Sequence, residues 1–112
     1  MPPGILDTNT LILVERLDPD DLPSEPVIAS LTLAELSPGP LVAVDDDERA
    51  ARQARLQEVG SVFEPLPFDA AAARVFGRFA SSLRRSGRRP AARAVDALIA
   101  ATAIANGLPL YT

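Results

Sequence analysis

Three carboxylates stand where an acid is not simply a wet surface residue. Asp7 closes the short apolar run Gly4-Ile5-Leu6 and precedes Thr8-Asn9-Thr10. Aspartate there serves either as a helix N-cap or as a metal ligand at the carboxyl end of a strand, and the two roles are compatible. Glu35 lies within Leu31-Thr32-Leu33-Ala34-Glu35-Leu36, where an exposed helical glutamate is the plain alternative to a functional one. Asp96 opens an alanine-rich segment, with Ile99, Ala100 and Ala103 as its helical neighbours. An ionised aspartate against such a face costs several kcal/mol unless it is paired, for instance with Arg93, or binds a cation. A strand-end aspartate, a helical glutamate and a helical aspartate can converge on one edge of a parallel sheet. Like charges cluster there only around a divalent ion, and such an ion activates water and steadies a phosphoryl transition state.

Composition narrows the chemistry. The 112 residues contain no histidine and no cysteine, and all 11 basic residues are arginine. Zinc sites of the usual kind, Ser–His–Asp catalysis, cysteine nucleophiles, lysine Schiff bases and the P-loop lysine are therefore absent. Fifteen acids suit a hard, oxygen-seeking ion such as Mg²⁺ or Mn²⁺. The net charge of -4 is unevenly spread: residues 1–48 carry eleven acids and one arginine, Arg16, whereas residues 49–112 carry ten arginines and four acids. Arg84, Arg85, Arg88, Arg89 and Arg93 crowd the approach to Asp96. They form either a solvated loop or a rim that contacts phosphates, a task suited to the planar guanidinium. With one tyrosine and four phenylalanines, base stacking is not the main grip expected. The runs Asp18–Asp21 and Asp45–Glu48 read as solvated faces or helix starts.

The elements that must position these residues alternate. A strand is expected at Gly4–Asp7, a helix from Thr8 to Leu17, and a second strand at Pro26–Ala29. Ser30 is expected to cap a helix over Leu31–Leu36, which Ser37-Pro38-Gly39-Pro40 ends. A helix from Asp45 to about Val59 is expected to stop at Gly60, with Arg49 and Arg52 on its wet side, followed by a strand at Ser61–Leu66. Asp69 caps a long helix to about Arg85. A loop at Ser86–Pro90 leads to a helix over Ala91–Ala105, closed by Asn106-Gly107, and to a last strand at Leu108–Thr112. This order implies an α/β fold with a parallel sheet and helices on both faces, in one domain. Apolar runs such as Thr10–Val14 and Ala97–Ala105 are too short to span a bilayer, and Met1-Pro2-Pro3-Gly4 lacks the features of a signal peptide. The chain is expected to be cytoplasmic.

Ile5-Leu6-Asp7-Thr8-Asn9, Leu31–Leu36, Ala94–Ala103 and Asn106–Thr112 together resemble the PIN-domain family, and more narrowly the VapC-type toxins of bacterial toxin–antitoxin pairs. The resemblance spans almost the whole chain in family order. It implies a three-layer α/β/α fold with a short parallel sheet. It also implies a Mg²⁺- or Mn²⁺-dependent endoribonuclease acting on RNA such as tRNA or rRNA, a VapB-type antitoxin that restrains it, and a homodimer. Asp7, Glu35 and Asp96 match the first three family acids and are the expected catalytic and metal-binding residues. Thr8 and Asn9 are expected to orient them through hydrogen bonds, with Thr112 close by. The family carries a further acid a few residues past the Leu110-Tyr111-Thr112 strand. No residue of residues 1–112 matches it, so the single domain is expected to lack the usual C-terminal end. Two other readings are weighed beside this one. A phosphatase or receiver domain shares the strand-end aspartate but normally requires a lysine. An inactive or shortened PIN-like domain would act only as a protein-binding module.

Overall fold

The computed structural model describes residues 3–85, 87 and 94–112. Three parallel strands form the sheet: β1 (Pro3–Leu6), β2 (Glu25–Val27) and β3 (Leu110–Tyr111), in the order β2-β1-β3. Ile5 pairs with Val27 on one side and Leu110 on the other. Five helices surround the sheet: α1 (Thr8–Ile12), α2 (Ser30–Leu36), α3 (Asp46–Val62), α4 (Ala70–Arg85) and α5 (Ala94–Ala105).

Alternation along β1 divides the core. Ile5 points to one face and is buried with Ala29, Ile99 and Ala103, so α5 covers that side. Leu6 points to the other face and is buried with Leu11, Ile28 and Val59, which brings α1 and the end of α3 over it. Helix α4 packs on α5. The result is the expected layering of helices on both faces of a short parallel sheet.

Local chemistry sets most of the helix ends. The Asp45 carboxylate accepts from Glu48 N–H at 2.7 Å, and Glu48 reaches back to Val44 N–H at 3.2 Å, a reciprocal cap of the capping-box kind. Asp69 accepts from Ala72 N–H at 3.0 Å. Helix α5 ends at Gly107, whose φ is +65°. Gly107 N–H donates to Ile104 O and Leu108 N–H to Ala103 O, the two bonds of a Schellman turn.

Four expectations need correction. The segment Ser61–Leu66 is not a strand. Helix α3 runs through the exposed Gly60 to Val62, because Val59 and Phe63, four residues apart, pack against the same core cluster. Leu66 alone bridges to the sheet edge opposite Ala29. Ser30 is the first residue of α2 and not its cap; its N–H is already satisfied by Leu66 O at 2.8 Å. The helix expected from Thr8 to Leu17 ends at Ile12 and continues as a 3₁₀ turn over Val14–Arg16, which brings Val14 against the core. Arg49 is exposed as expected, though its Nε donates to Pro40 O at 3.2 Å, but Arg52 is only partly on the wet side, its Nη1 donating to Gly39 O at 2.9 Å. Among the described residues, no helix is long and apolar enough to cross a membrane.

Candidate active site

The three acids are carried by different elements: Asp7 by the end of β1, Glu35 by α2 and Asp96 by the first turn of α5. Asp7 is the residue after β1. Its N–H donates to Tyr111 O at 3.1 Å and its carbonyl accepts from Leu11 N–H, so its backbone is fixed on both sides. Its Oδ1 caps α1 by accepting from Thr10 N–H at 2.7 Å. The cap role is therefore real, and it occupies one carboxylate oxygen. Among the described residues the other oxygen has no hydrogen-bond partner, so it is open to a ligand.

Close approach of β3 to β1 depends on Gly4. A Cβ there would collide with the Tyr111 ring, so glycine leaves room for that ring to lie across β1. Leu6 pairs with Tyr111, and one residue further on, the exposed Thr112 stands level with Asp7.

Glu35 is exposed on α2 but is not isolated. Thr8, the first residue of α1, donates its hydroxyl to Glu35 Oε1 at 2.5 Å. The same Thr8 oxygen is hydrogen-bonded at 3.2 Å to Thr32 Oγ1, which is fully buried on α2. Thr8 thus couples the residue next to Asp7 with Glu35, and Thr32 fixes Thr8. Asn9, expected alongside Thr8, is exposed, and its carbonyl accepts from Leu13 N–H.

Asp96 lies in the first turn of α5 and is exposed. Helix α5 feeds β3 through the tight turn at Gly107, and β3 runs parallel to β1. A helix of about 18 Å packed back along the sheet returns its N-terminal turn to the carboxyl end of the strands. Ile99 and Ala103, on the face of α5 that also carries Asp96, anchor it in the core. Asp96 has no hydrogen bond or ion pair among the described residues.

Among the described residues no three acidic side chains are gathered closely enough to form a ready-made metal cage. The donor set still fits a hard divalent cation: it consists of carboxylate oxygens with threonine hydroxyls behind them, and contains no nitrogen or sulfur ligand.

Arg84 and Arg85 are exposed in the last turn of α4, where cations offset the helix dipole. Arg85 also donates to Ser81 Oγ at 3.1 Å. Arg88, Arg89 and Arg93 lie outside the described residues, as does most of the expected Ser86–Pro90 loop. Two further residues lie beside these acids with little local signal in the sequence. Thr32 looks like an ordinary helical residue, and only its burial reveals its role. Arg55, one turn beyond Arg52 on α3, shares a cleft of about 210 Å³ with Glu35. Its i, i+3 spacing from Arg52 is the single sequence clue.

A parallel α/β/α fold with acids on the strand-end side defines a class of protein, and comparison makes the class specific. The family model described as PIN domain matches residues 5–112. The chain belongs to the PIN-domain family. A Mycobacterium tuberculosis (strain ATCC 25618 / H37Rv) protein named Ribonuclease VapC5 is 41% identical over 112 residues, covering 97% of this chain and 81% of that protein. Ribonuclease VapC4 of the same strain is 35% identical, covering 97% and 84%. Among solved structures, a crystal structure of a member of the VapBC family of toxin–antitoxin systems, VapBC-5 from M. tuberculosis, matches with a TM-score of 0.84 and 41% identity, over 96% of this chain and 82% of that one. The DNA-bound VapBC of Salmonella typhimurium matches with a TM-score of 0.73 and 29% identity, over 96% and 83%.

Proposed function

We propose that this protein is a VapC-type endoribonuclease toxin that hydrolyses RNA phosphodiester bonds with the help of Mg²⁺ or Mn²⁺ and is neutralised by a VapB-type antitoxin. Asp7, Glu35 and Asp96 would hold the cation. The observation that carries this reading is the Thr8 bridge, which joins Glu35 on α2 to the residue beside Asp7. A threonine held by the buried Thr32 to orient an exposed glutamate is hard to explain by folding alone, but is expected of a positioned ligand. The relatives named ribonucleases and the VapBC structures support the same reading.

When bound, a divalent cation supplies activation of water and neutralisation of phosphate charge. The chain's own residues do the rest. The Asp7 cap fixes one carboxylate oxygen and leaves the other free. Thr8 keeps Glu35 turned toward β1. In this reading metal-activated water is the nucleophile, and the chain has no histidine, cysteine or lysine to take that part. The exposed arginines at the end of α4, together with Arg88, Arg89 and Arg93, would contact the RNA backbone. The protein would act as a homodimer. An acid cluster of this kind also offers an antitoxin arginine a place to bind.

Asp96→Asn tests the reading because it keeps shape and removes charge at an exposed position. The variant is expected to remain folded by circular dichroism and to lose at least a hundredfold in RNA cleavage. Cleavage at the parent's rate would refute the assignment.

A further inference from the structure

The cleft beside Glu35 has a second charged wall that the ribonuclease reading does not use. Glu35, Leu36, Gly39, Arg52, Arg55 and Leu56 line about 210 Å³ between α2 and α3. The two arginines differ in their freedom. Arg52 is ion-paired with Glu48 and donates to Gly39 O, so its guanidinium braces the wall. Arg55 is exposed, and among the described residues it makes no ion pair and no hydrogen bond. It is therefore a guanidinium with all its donors available, facing the same cleft as a glutamate proposed to act on a phosphodiester. An acidic site on a chain of net charge -4 repels a polyanion, and a free cation at its margin offsets that repulsion where the strand must pass.

We propose that Arg55 is a substrate-positioning residue that grips a backbone phosphate of the RNA on the α2–α3 side of Glu35. This rests on the ribonuclease reading. It extends the RNA-binding surface beyond Glu35 along the α2–α3 cleft as far as Arg55. The planar fork takes a phosphate through two parallel hydrogen bonds, and Leu36 and Leu56 provide the apolar side of the cleft.

The test uses a labelled RNA hairpin with a randomised loop. Binding is measured in the Asp96→Asn background across a salt series, and cleavage in the otherwise unaltered chain. Arg55→Ala is expected to weaken binding about tenfold and to lower the slope of log affinity against log salt by nearly one unit. In cleavage it should raise KM with kcat within about twofold. Arg55→Lys should keep the slope and lose part of the affinity. Arg74→Ala removes an exposed arginine of α4 that does not line the cleft, and should change neither KM nor slope. Parent-like affinity and slope for Arg55→Ala would overturn the proposal, as would an effect equal to that of Arg74→Ala, or a loss confined to antitoxin binding. If the parent chain itself neither binds nor cleaves the hairpin, the ribonuclease reading falls and the role of Arg55 falls with it.

Discussion

At the scale of single residues, the site is organised by hydroxyls. Asp7 caps α1 with one oxygen, Thr8 reaches Glu35, and Thr32 fixes Thr8 from the interior. Thr8→Val keeps the shape of the side chain but removes the donor to Glu35 and a partner of the buried Thr32 hydroxyl. We expect it to lower cleavage by about tenfold to a hundredfold and to raise the Mn²⁺ concentration needed for half-maximal rate. Thr8→Ser should restore both. A purely structural role for Thr8 would reduce thermal stability without moving the metal dependence, so a Mn²⁺ titration of the two variants separates the cases. Much of this was legible in sequence. Asp7 is conspicuous because an acid that closes an apolar run needs a reason, whereas Glu35 and Asp96 are exposed, so the burial cost expected for Asp96 on an alanine-rich face does not arise. The role of Thr32 was not legible, because nothing local distinguishes a buried helical threonine from an exposed one.

At the scale of elements, the boundaries set by local chemistry were readable and those set by packing were not. Asp45, Asp69 and Gly107 act within one turn of chain, so their residue types reveal them. The end of α3 is hidden in the sequence because Gly60 followed by Ser61-Val62-Phe63 resembles a stop and a strand. What decides the matter is tertiary: Val59 is buried in one core cluster and Phe63, at the C-cap, packs against it, so the helix that carries Val59 continues to Val62. Gly60 is then an exposed helical glycine with no atom within 4 Å of an added Cβ. Gly60→Ala should stabilise the protein by about 0.5 kcal/mol, because it limits the unfolded chain and improves helix propensity. Thermal denaturation should show a midpoint higher by a few degrees. A lower midpoint would mean that α3 does not continue through residue 60.

At the scale of the whole molecule, the proposed function requires three elements to present their acids on one side of a small sheet. Strand β1 delivers Asp7, α2 leaves the sheet immediately after Ala29 with Glu35 along it, and α5 returns its first turn, with Asp96, toward the same side. The sequence showed the acids and the alternation of elements. The side of the sheet on which each acid lies follows from the β2-β1-β3 order and from the core contacts that anchor α5, neither of which is local to the sequence. Among the described residues Asp7, Glu35 and Asp96 are not gathered into one ligand shell, so their joint hold on a cation remains the proposal to be tested. The most direct measurement is anomalous diffraction from crystals of this protein soaked in Mn²⁺. The account predicts an anomalous peak bounded by carboxylate oxygens of Asp7, Glu35 and Asp96, lost in crystals of Asp96→Asn. Manganese bound elsewhere, with these three carboxylates left apart, would contradict it.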